Sequence, residues 1–405
     1  MGRGPRQDGE VLPGSGVPKR PVPWVGTDGA ARYPVLRLPR KRRRMTVVPR
    51  KQFRPSGFAP EGVFVFRYEN GRGSNALRSP IIKQMEEKHM KKTAAIILSL
   101  CLAAGMLTSA FAEDKTYKIG VLQFIQHAAL DAATQGFKDA LTEKLGDRVT
   151  FVEQNASGEV SNCAIIATSL VAERCDLYLG NATPALQALA NATFDAPVLG
   201  TSITDYATAL DIDGWTGVTG FNVSGTSDLA PLDRQAEMVL ELFPDAKTVG
   251  LLYCSAEANS VYQVNAVRSC LEERGIACTD YSFADSNDLA SVAQMATECD
   301  VIYIPTDNTC ASYVETIANV VIPAGTPVIT GEEGICAGCG VATLSISYYD
   351  LGYATGLMAY DILVGGADVT KLAIAYAPEV TRKYNPAIVE ALGIVIPEDY
   401  VAIGQ

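Results

Sequence analysis

Lys118-Ile-Gly-Val-Leu-Gln123 recurs as Thr248-Val-Gly-Leu-Leu-Tyr253, 130 residues further on. Cys175-Asp-Leu-Tyr-Leu-Gly180 returns after 124 residues as Cys299-Asp-Val-Ile-Tyr-Ile304. Ala196-Pro-Val-Leu-Gly-Thr201 returns after 130 as Thr326-Pro-Val-Ile-Thr-Gly331. Three short apolar runs in one order, repeated once, describe a duplicated unit. Runs of this kind suit strands buried on both faces, as in a parallel sheet. Helical patterns lie between them, at 130–144, 160–174, 184–193, 228–243, 260–274, 288–299 and 310–321. Gly146 and Gly275 stand where the first and fifth of these should stop. Alternating strand and helix predicts right-handed crossovers, and two copies predict two doubly wound, flavodoxin-like α/β lobes.

Beyond the second copy the sequence predicts a strand at 341–346, a helix at 348–364 and an apolar run at 372–376. A chain that fills one lobe, then the other, and then returns crosses between them several times. The expected division is 115–221 with 346–376 as lobe one and 222–345 with 377–405 as lobe two, joined by a multi-strand hinge.

Upstream of the repeat the chain changes character. Residues 1–112 hold 21 Lys+Arg and 7 Asp+Glu, a net of +14, and residues 113–405 hold 13 and 38, a net of −25; the chain's overall −11 averages the two. Lys91-Lys92, the apolar stretch 94–107 and Ala110-Phe-Ala112 read together as a secretory signal peptide over 90–112, giving a mature start at Glu113. Ser99 and Gly105 interrupt the stretch, and Leu100 stands where a small residue would precede a lipidated cysteine, so a retained membrane helix and a lipid anchor at Cys101 are both disfavoured. Residues 1–89 are then expected to be a disordered extension ahead of the true start. Met85-Glu-Glu can be encoded by a purine-rich tract of the ribosome-binding type. A basic arm in front of an export signal has no nucleic acid to bind.

The remaining residues, about 290, are large for one core and comfortable for two. Their acidic balance points to a soluble protein that handles small molecules and not nucleic acid; the signal peptide adds the expectation of an extracytoplasmic location, and a monomer is expected. Cysteines number ten in the chain, nine of them after residue 112. An odd number cannot all pair within one chain, so mostly buried thiols with one or two bridges are expected.

Ligands of doubly wound sheets bind beyond the carboxyl ends of the strands. There the sequence places Gln123, Phe124 and His127; Asn181 and Thr183-Pro184; Ser202, Thr204 and Asp205; Glu257, Asn259 and Ser260; Thr306, Asp307 and Asn308; and Glu332-Glu333, without an arginine or lysine. Thr183, Ser260 and Thr309 are positioned to start helices, whose free N–H groups favour a carboxylate. Asp307 and Glu332 favour an ammonium, so the set suits a zwitterion. Taken singly, each residue reads more readily as a helix cap or a solvated acid than as a ligand contact.

Catalytic readings find less support. His127 is the only histidine after residue 112, no Gly-x-Ser-x-Gly elbow accompanies it, and no Gly-x-Gly-x-x-Gly or phosphate loop follows a strand, so neither an enzyme nor a cofactor is expected. Cys336-Ala-Gly-Cys339 has redox-like spacing, but reads as a glycine-rich loop before a strand, with no second pair or histidine to complete a metal site.

His127-Ala-Ala-Leu-Asp-Ala132, Gly180-Asn-Ala-Thr-Pro184, Glu257-Ala-Asn-Ser260, Pro305-Thr-Asp-Asn308, Gly331-Glu-Glu333 and Tyr348-Tyr-Asp-Leu-Gly352 occur in order. Together they resemble the motifs of ABC-transporter substrate-binding proteins of the tryptophan/tyrosine-binding type, with the type I periplasmic-binding-protein fold. The resemblance covers 117–405. It departs at Ala128, where the family usually has proline, and in the cysteines around Gly338. It implies a receptor that closes on an aromatic amino acid and delivers it to an ABC permease in the membrane. By position it implies a site of Thr183, Ser202 and Thr204 in lobe one with Glu257, Asn259, Ser260, Asp307, Asn308 and Glu332 in lobe two. Phe124 could stack on the ligand ring or fill the core, and Asp307 is expected to pair with the ligand ammonium. The same fold also serves sensors, and a cleft hydrolase would need turnover.

Overall fold

The structure is a computed structural model that describes residues 115–404 other than 378. The expected extension at 1–89 and signal peptide at 90–112 lie outside the described residues.

The first sheet is built from β1 (Tyr117–Gln123), β2 (Val149–Asn155), β3 (Leu177–Asn181), β4 (Val198–Ile203) and β5 (Val223–Ser227). Helices α1 (Ala128–Leu145), α2 (Val160–Ala172), α3 (Thr183–Ala192) and the single turn α4 (Tyr206–Ala209) connect them. The chain then enters the second unit through α5 (Leu232–Leu242). There β6 (Thr248–Cys254), α6 (Ala258–Glu272), β7 (Ala277–Phe283), α7 (Leu289–Ala296) and β8 (Val301–Ile304) follow in turn. Next come α8 (Asn308–Ser312), α9 (Val314–Ala324), β9 (Val328–Thr330), α10 (Glu333–Cys339) and β10 (Ala342–Ser345). The last stretch holds α11 (Tyr348–Leu363), β11 (Ala375–Tyr376), β12 (Thr381–Tyr384), α12 (Pro386–Leu392) and β13 (Val401–Ala402).

Strand order makes the duplication explicit. One sheet runs β2-β1-β3-β4-β5-β11 and the other β7-β6-β8-β9-β10-β12-β13. The first five strands of each follow the same flavodoxin-like order, all pairs are parallel except β10 with β12. The repeated glycine has the same use in both: a Cβ on Gly120 would lie 2.7 Å from the Tyr178 ring, and one on Gly250 3.1 Å from the Tyr281 ring. Each lobe has its own apolar clusters, one set around Leu122, Phe137 and Leu179 and the other around Leu251, Ile304 and Ile317.

Helix α11 comes back from the second unit and packs on α1 of the first. Glycines permit this: a Cβ on Gly352 would stand 1.9 Å from the Ala133 carbonyl oxygen, and one on Gly136 2.1 Å from that of Tyr349. The chain passes between the lobes after β5, after β10 and after β11. Strand β5 belongs to the first sheet, where it pairs with β4 and β11, so the division read at 221/222 moves past Ser227. The reason it was misplaced is that β5, Val-Ser-Gly-Thr-Ser, carries no apolar run.

Two further expectations change. All nine described cysteines are unpaired thiols, so no bridge is present among the described residues. Cys336 and Cys339 lie in helix α10 and not in a loop; both are buried, and burial pushes the Cys336 thiol up and the Cys339 thiol up to about 12, the reverse of an activated redox pair.

Candidate functional site

The carboxyl ends of β4 and β5 face those of β6, β8 and β9 across a small cavity. Its wall includes Leu130, Ser202, Thr204, Asp228, Asn259, Thr306, Asp307, Asn308, Glu332 and Tyr348. The enclosed space is about 10 Å³, room for roughly one water-sized group. The lobes touch around it. His127 Nε2 lies 3.2 Å from Asn308 Oδ1, Ser312 Oγ donates to the Gln126 carbonyl at 3.1 Å, and Gln263 Nε2 donates to Thr204 Oγ1 at 3.4 Å.

The acids of the second lobe are tied to their own lobe. Asp307 is 1% exposed; its Oδ1 accepts the Cys310 N–H at 2.8 Å, and its Oδ2 accepts the Cys254 N–H and the Ser260 hydroxyl, both at 2.7 Å. Glu257 accepts the N–H groups of Asn308 at 3.0 Å and Thr309 at 2.9 Å, together with the side chains of both. It therefore caps α8 from another segment. Burial raises the carboxyls of both Glu257 and Asp307, with the charge of Asp307 adding to the effect on Glu257. Glu332 spends both oxygens on its own helix, accepting the Gly334 N–H at 2.7 Å and the Ile335 N–H at 2.9 Å.

Asp228 is different. It sits just past β5, where the chain first leaves lobe one, and is 4% exposed. Its partners are two neutral hydroxyls, Thr204 Oγ1 on Oδ1 and Tyr348 OH on Oδ2, each at 3.0 Å. Burial pushes its carboxyl up to about 6, against the lowering effect of those hydrogen bonds. No lysine or arginine belongs to the wall. Two other polar atoms there lack partners, Ser202 Oγ and Asn259 Oδ1. Ser202 also has φ of 57° at a point where the β4–β5 register shifts, the left-handed backbone that costs a non-glycine residue about 1 kcal/mol or more.

The cavity brings together His127, Ser202, Thr204, Asn259, Thr306, Asp307, Asn308 and Glu332 from the residues singled out in the sequence. Glu257 and Ser260 stand behind it as supports. Phe124 is corrected: it is 1% exposed and part of the lobe-one core, not a free ring. The capping assignments also shift. Thr183 is the first residue of α3, with Ala182 before it, and the residues preceding α6 and α8 are Glu257 and Asp307 in place of Ser260 and Thr309. Asp228 and Tyr348 are additions. The one available sign of Asp228 was an acid at the end of an unrecognised strand.

Chemically, the cleft offers both signs of charge. The first turns of α1 and α6, whose Leu130 and Asn259 reach the wall, carry no side-chain cap, leaving positive N-terminal ends. Asp228 supplies a negative group.

Known proteins share the whole two-lobed region. The family described as ABC transporter substrate binding protein matches residues 118–404. The tyrosine-binding protein of Clostridioides difficile (strain R20291) is 31% identical over 293 residues, 68% of this chain and 85% of that one. The crystal structure of an ABC domain in complex with L-Trp from Streptococcus pneumoniae is 35% identical, with a TM-score of 0.67, covering 70% of this chain and 97% of its own. A ligand-free, open substrate-binding protein with adhesive properties from Clostridium difficile is 32% identical over 71% of this chain and 99% of its own, with a TM-score of 0.55. With the family match running through both lobes, the chain belongs to the ABC transporter substrate-binding proteins.

Proposed function

We propose that this protein is the extracytoplasmic receptor of an ABC importer, binds an aromatic amino acid between its lobes by hinge closure, and catalyses no reaction. The observation that carries this is the cleft itself: a buried carboxylate with only hydroxyl partners, uncapped helix N-termini, and no lysine or arginine in the wall. The zwitterionic head of an amino acid would meet each end with the opposite charge. The names of two relatives, one tyrosine-binding and one in complex with L-Trp, support the aromatic class.

Hinge closure is supported by three crossings between the lobes and by side chains that meet across the cleft. At similar identity the chain superposes better on the L-Trp complex than on the open, ligand-free relative. Entry of anything larger than a water requires the lobes to part, as in periplasmic binding proteins generally. The signal peptide read at 90–112 fits export, and the partner would be a membrane permease met by a monomer.

A thermal-shift screen of the amino acids tests the reading. A ligand at about 100 times its Kd stabilises a protein by about 2.7 kcal/mol, so tyrosine, tryptophan or phenylalanine should raise the melting temperature clearly. No response to any of the three rejects the aromatic assignment. X-ray scattering should show a more compact particle on saturation, and an unchanged profile would reject closure.

A further inference from the structure

We propose that this protein carries a second binding site, for an organic cation with an apolar body, in a cavity beside the crossings between the lobes, and that its occupant favours the closed form. The cavity holds about 630 Å³, within the range of small-molecule pockets, whereas the cleft space is about 10 Å³. Lobe one contributes Ala132 of α1, Ala354 of α11 and Tyr376 of β11 to its wall, and lobe two contributes Glu333 and Ala337 of α10 and Lys383 of β12. Ile346 and Ala377 line it from the second and third crossings. Glu332 and Tyr348 are the only described residues common to this wall and that of the cleft. Their polar ends are spent, Glu332 on N–H groups of α10 and Tyr348 on Asp228, so these two side chains partition the spaces.

The wall selects the charge of the occupant. It holds four carboxylates, Glu332, Glu333, Asp350 and Glu379, against one base, Lys383. That lysine is already paired: its Nζ donates to Glu333 Oε2 at 2.8 Å, and the Ser345 hydroxyl donates to the same oxygen. Among the described residues neither Asp350 nor Glu379 meets a base. The excess of negative charge repels an anion and attracts a cation. The body of the occupant would lie on the alanines, Leu351 and Ile403. The Tyr376 ring, 52% exposed, adds a π-face of the kind that holds organic cations.

Because both lobes build one wall, the shape of the cavity depends on the angle between them. It has this volume with the lobes touching across the cleft, so an occupant that fills it makes contacts that parting the lobes would break. Such an occupant shifts the population toward the closed form. It then raises the affinity of the cleft for its own ligand, and by linkage the cleft ligand does the same for the cation. This coupling rests on the hinge closure proposed above; the site itself does not.

Calorimetry on the full chain decides the matter, using three probes that share a benzyl group: benzyltrimethylammonium, benzyl alcohol and phenylacetate. The quaternary ammonium is far larger than the water-sized space of the cleft. It should bind at least about tenfold more tightly than either of the other two, and should still bind when the cleft is saturated with the amino acid that the thermal screen identifies. Ala337 is exposed and outside the cleft wall, so Ala337→Trp should fill the cavity and weaken the cation at least about tenfold while the protein still binds the amino acid. Asp350→Asn should weaken the cation by about threefold, the scale of a solvent-exposed charge contact. Equal affinity for the three probes overturns the site. So does displacement of the cation by the amino acid, or wild-type cation binding by a folded Ala337→Trp protein. The saturating cation should raise amino-acid affinity by about threefold or more, and an unchanged affinity overturns the coupling. If no aromatic amino acid binds, the aromatic reading fails, and the probe comparison, which needs no amino acid, still decides the cavity.

Discussion

Tyr348 donates its hydroxyl to Oδ2 of Asp228 at 3.0 Å, and the two residues stand on different passages of the chain between the lobes. Asp228 follows β5, and Tyr348 opens α11 just after β10. Both are buried. The bond therefore ties one crossing segment to another at the edge of the cleft.

Tyr348→Phe should lower stability by about 1–3 kcal/mol, the range for a hydrogen bond to a buried charged group. Urea unfolding at neutral pH reads it. Stability equal to wild type would mean that the hydroxyl contributes nothing to holding the crossings together.

Asp307→Asn tests whether Asp307 acts on the ligand or on its own lobe. Its two oxygens take the Cys254 N–H, the Cys310 N–H and the Ser260 hydroxyl. An asparagine has one acceptor oxygen, so either orientation sets an NH2 against a backbone N–H. The expected loss is about 1–3 kcal/mol of stability. A variant as stable as wild type that binds ligand far more weakly would return Asp307 to direct contact with the ammonium.

Gly352→Ala should destabilise despite alanine's better helix propensity. The new Cβ would lie 1.9 Å from the Ala133 carbonyl oxygen and 2.6 Å from its carbon, both backbone atoms that cannot rotate away. Separating α11 from α1 should cost about 1–3 kcal/mol, the scale of core overpacking, against a gain of about 1 kcal/mol from propensity. A net stabilisation would show that the return of α11 does not depend on that close approach.

The parts of this fold that lie deepest were the most legible. β1, β3 and β4 and their copies β6, β8 and β9 are buried on both faces and read as apolar runs, which made the duplication visible. Edge strands β2 and β7 are half-exposed and polar along much of their length, so they carried no such signal. β5 was hidden for another reason. Its hydroxyls are buried but satisfied: Ser224 by the Leu372 carbonyl, Thr226 by Thr355 and Ser227 by the Thr204 carbonyl. A strand held by long-range side-chain bonds looks like a loop in sequence, and Asp228, at its end, went unnoticed with it. α10 escaped for a local reason, since Gly334 and Gly338 depress helix propensity and the adjoining Glu332 is not among the residue types that mark an N-cap. The acids of lobe two were found, but the sequence could not show that Glu257, Asp307 and Glu332 are all occupied by backbone N–H groups.

The pH dependence of stability isolates Asp228. Burial raises its carboxyl from 3.8 to about 6 in the folded protein, so the folded state holds the proton more tightly than the unfolded chain. Stability then falls as pH rises from about 4 to about 6 and is fully regained only below the unfolded value; the difference of about 2 units corresponds to about 3 kcal/mol. Asp307 and Glu257 shift in the same direction, and His127 and Glu332 share the wall, but all four remain in Asp228→Asn and cancel in a comparison. Without ligand, the wild type should therefore gain on the variant by up to about 3 kcal/mol between pH 8 and pH 4, a difference of several degrees in melting temperature for a protein of this size. Ligand reverses the sign, because an ammonium requires the ionised carboxylate: affinity should fall by up to about tenfold per pH unit below about 6. Parallel stability curves for wild type and variant without ligand, together with pH-independent affinity between 7 and 5, would mean that Asp228 stays ionised throughout and that the cleft does not exchange a proton for its ligand.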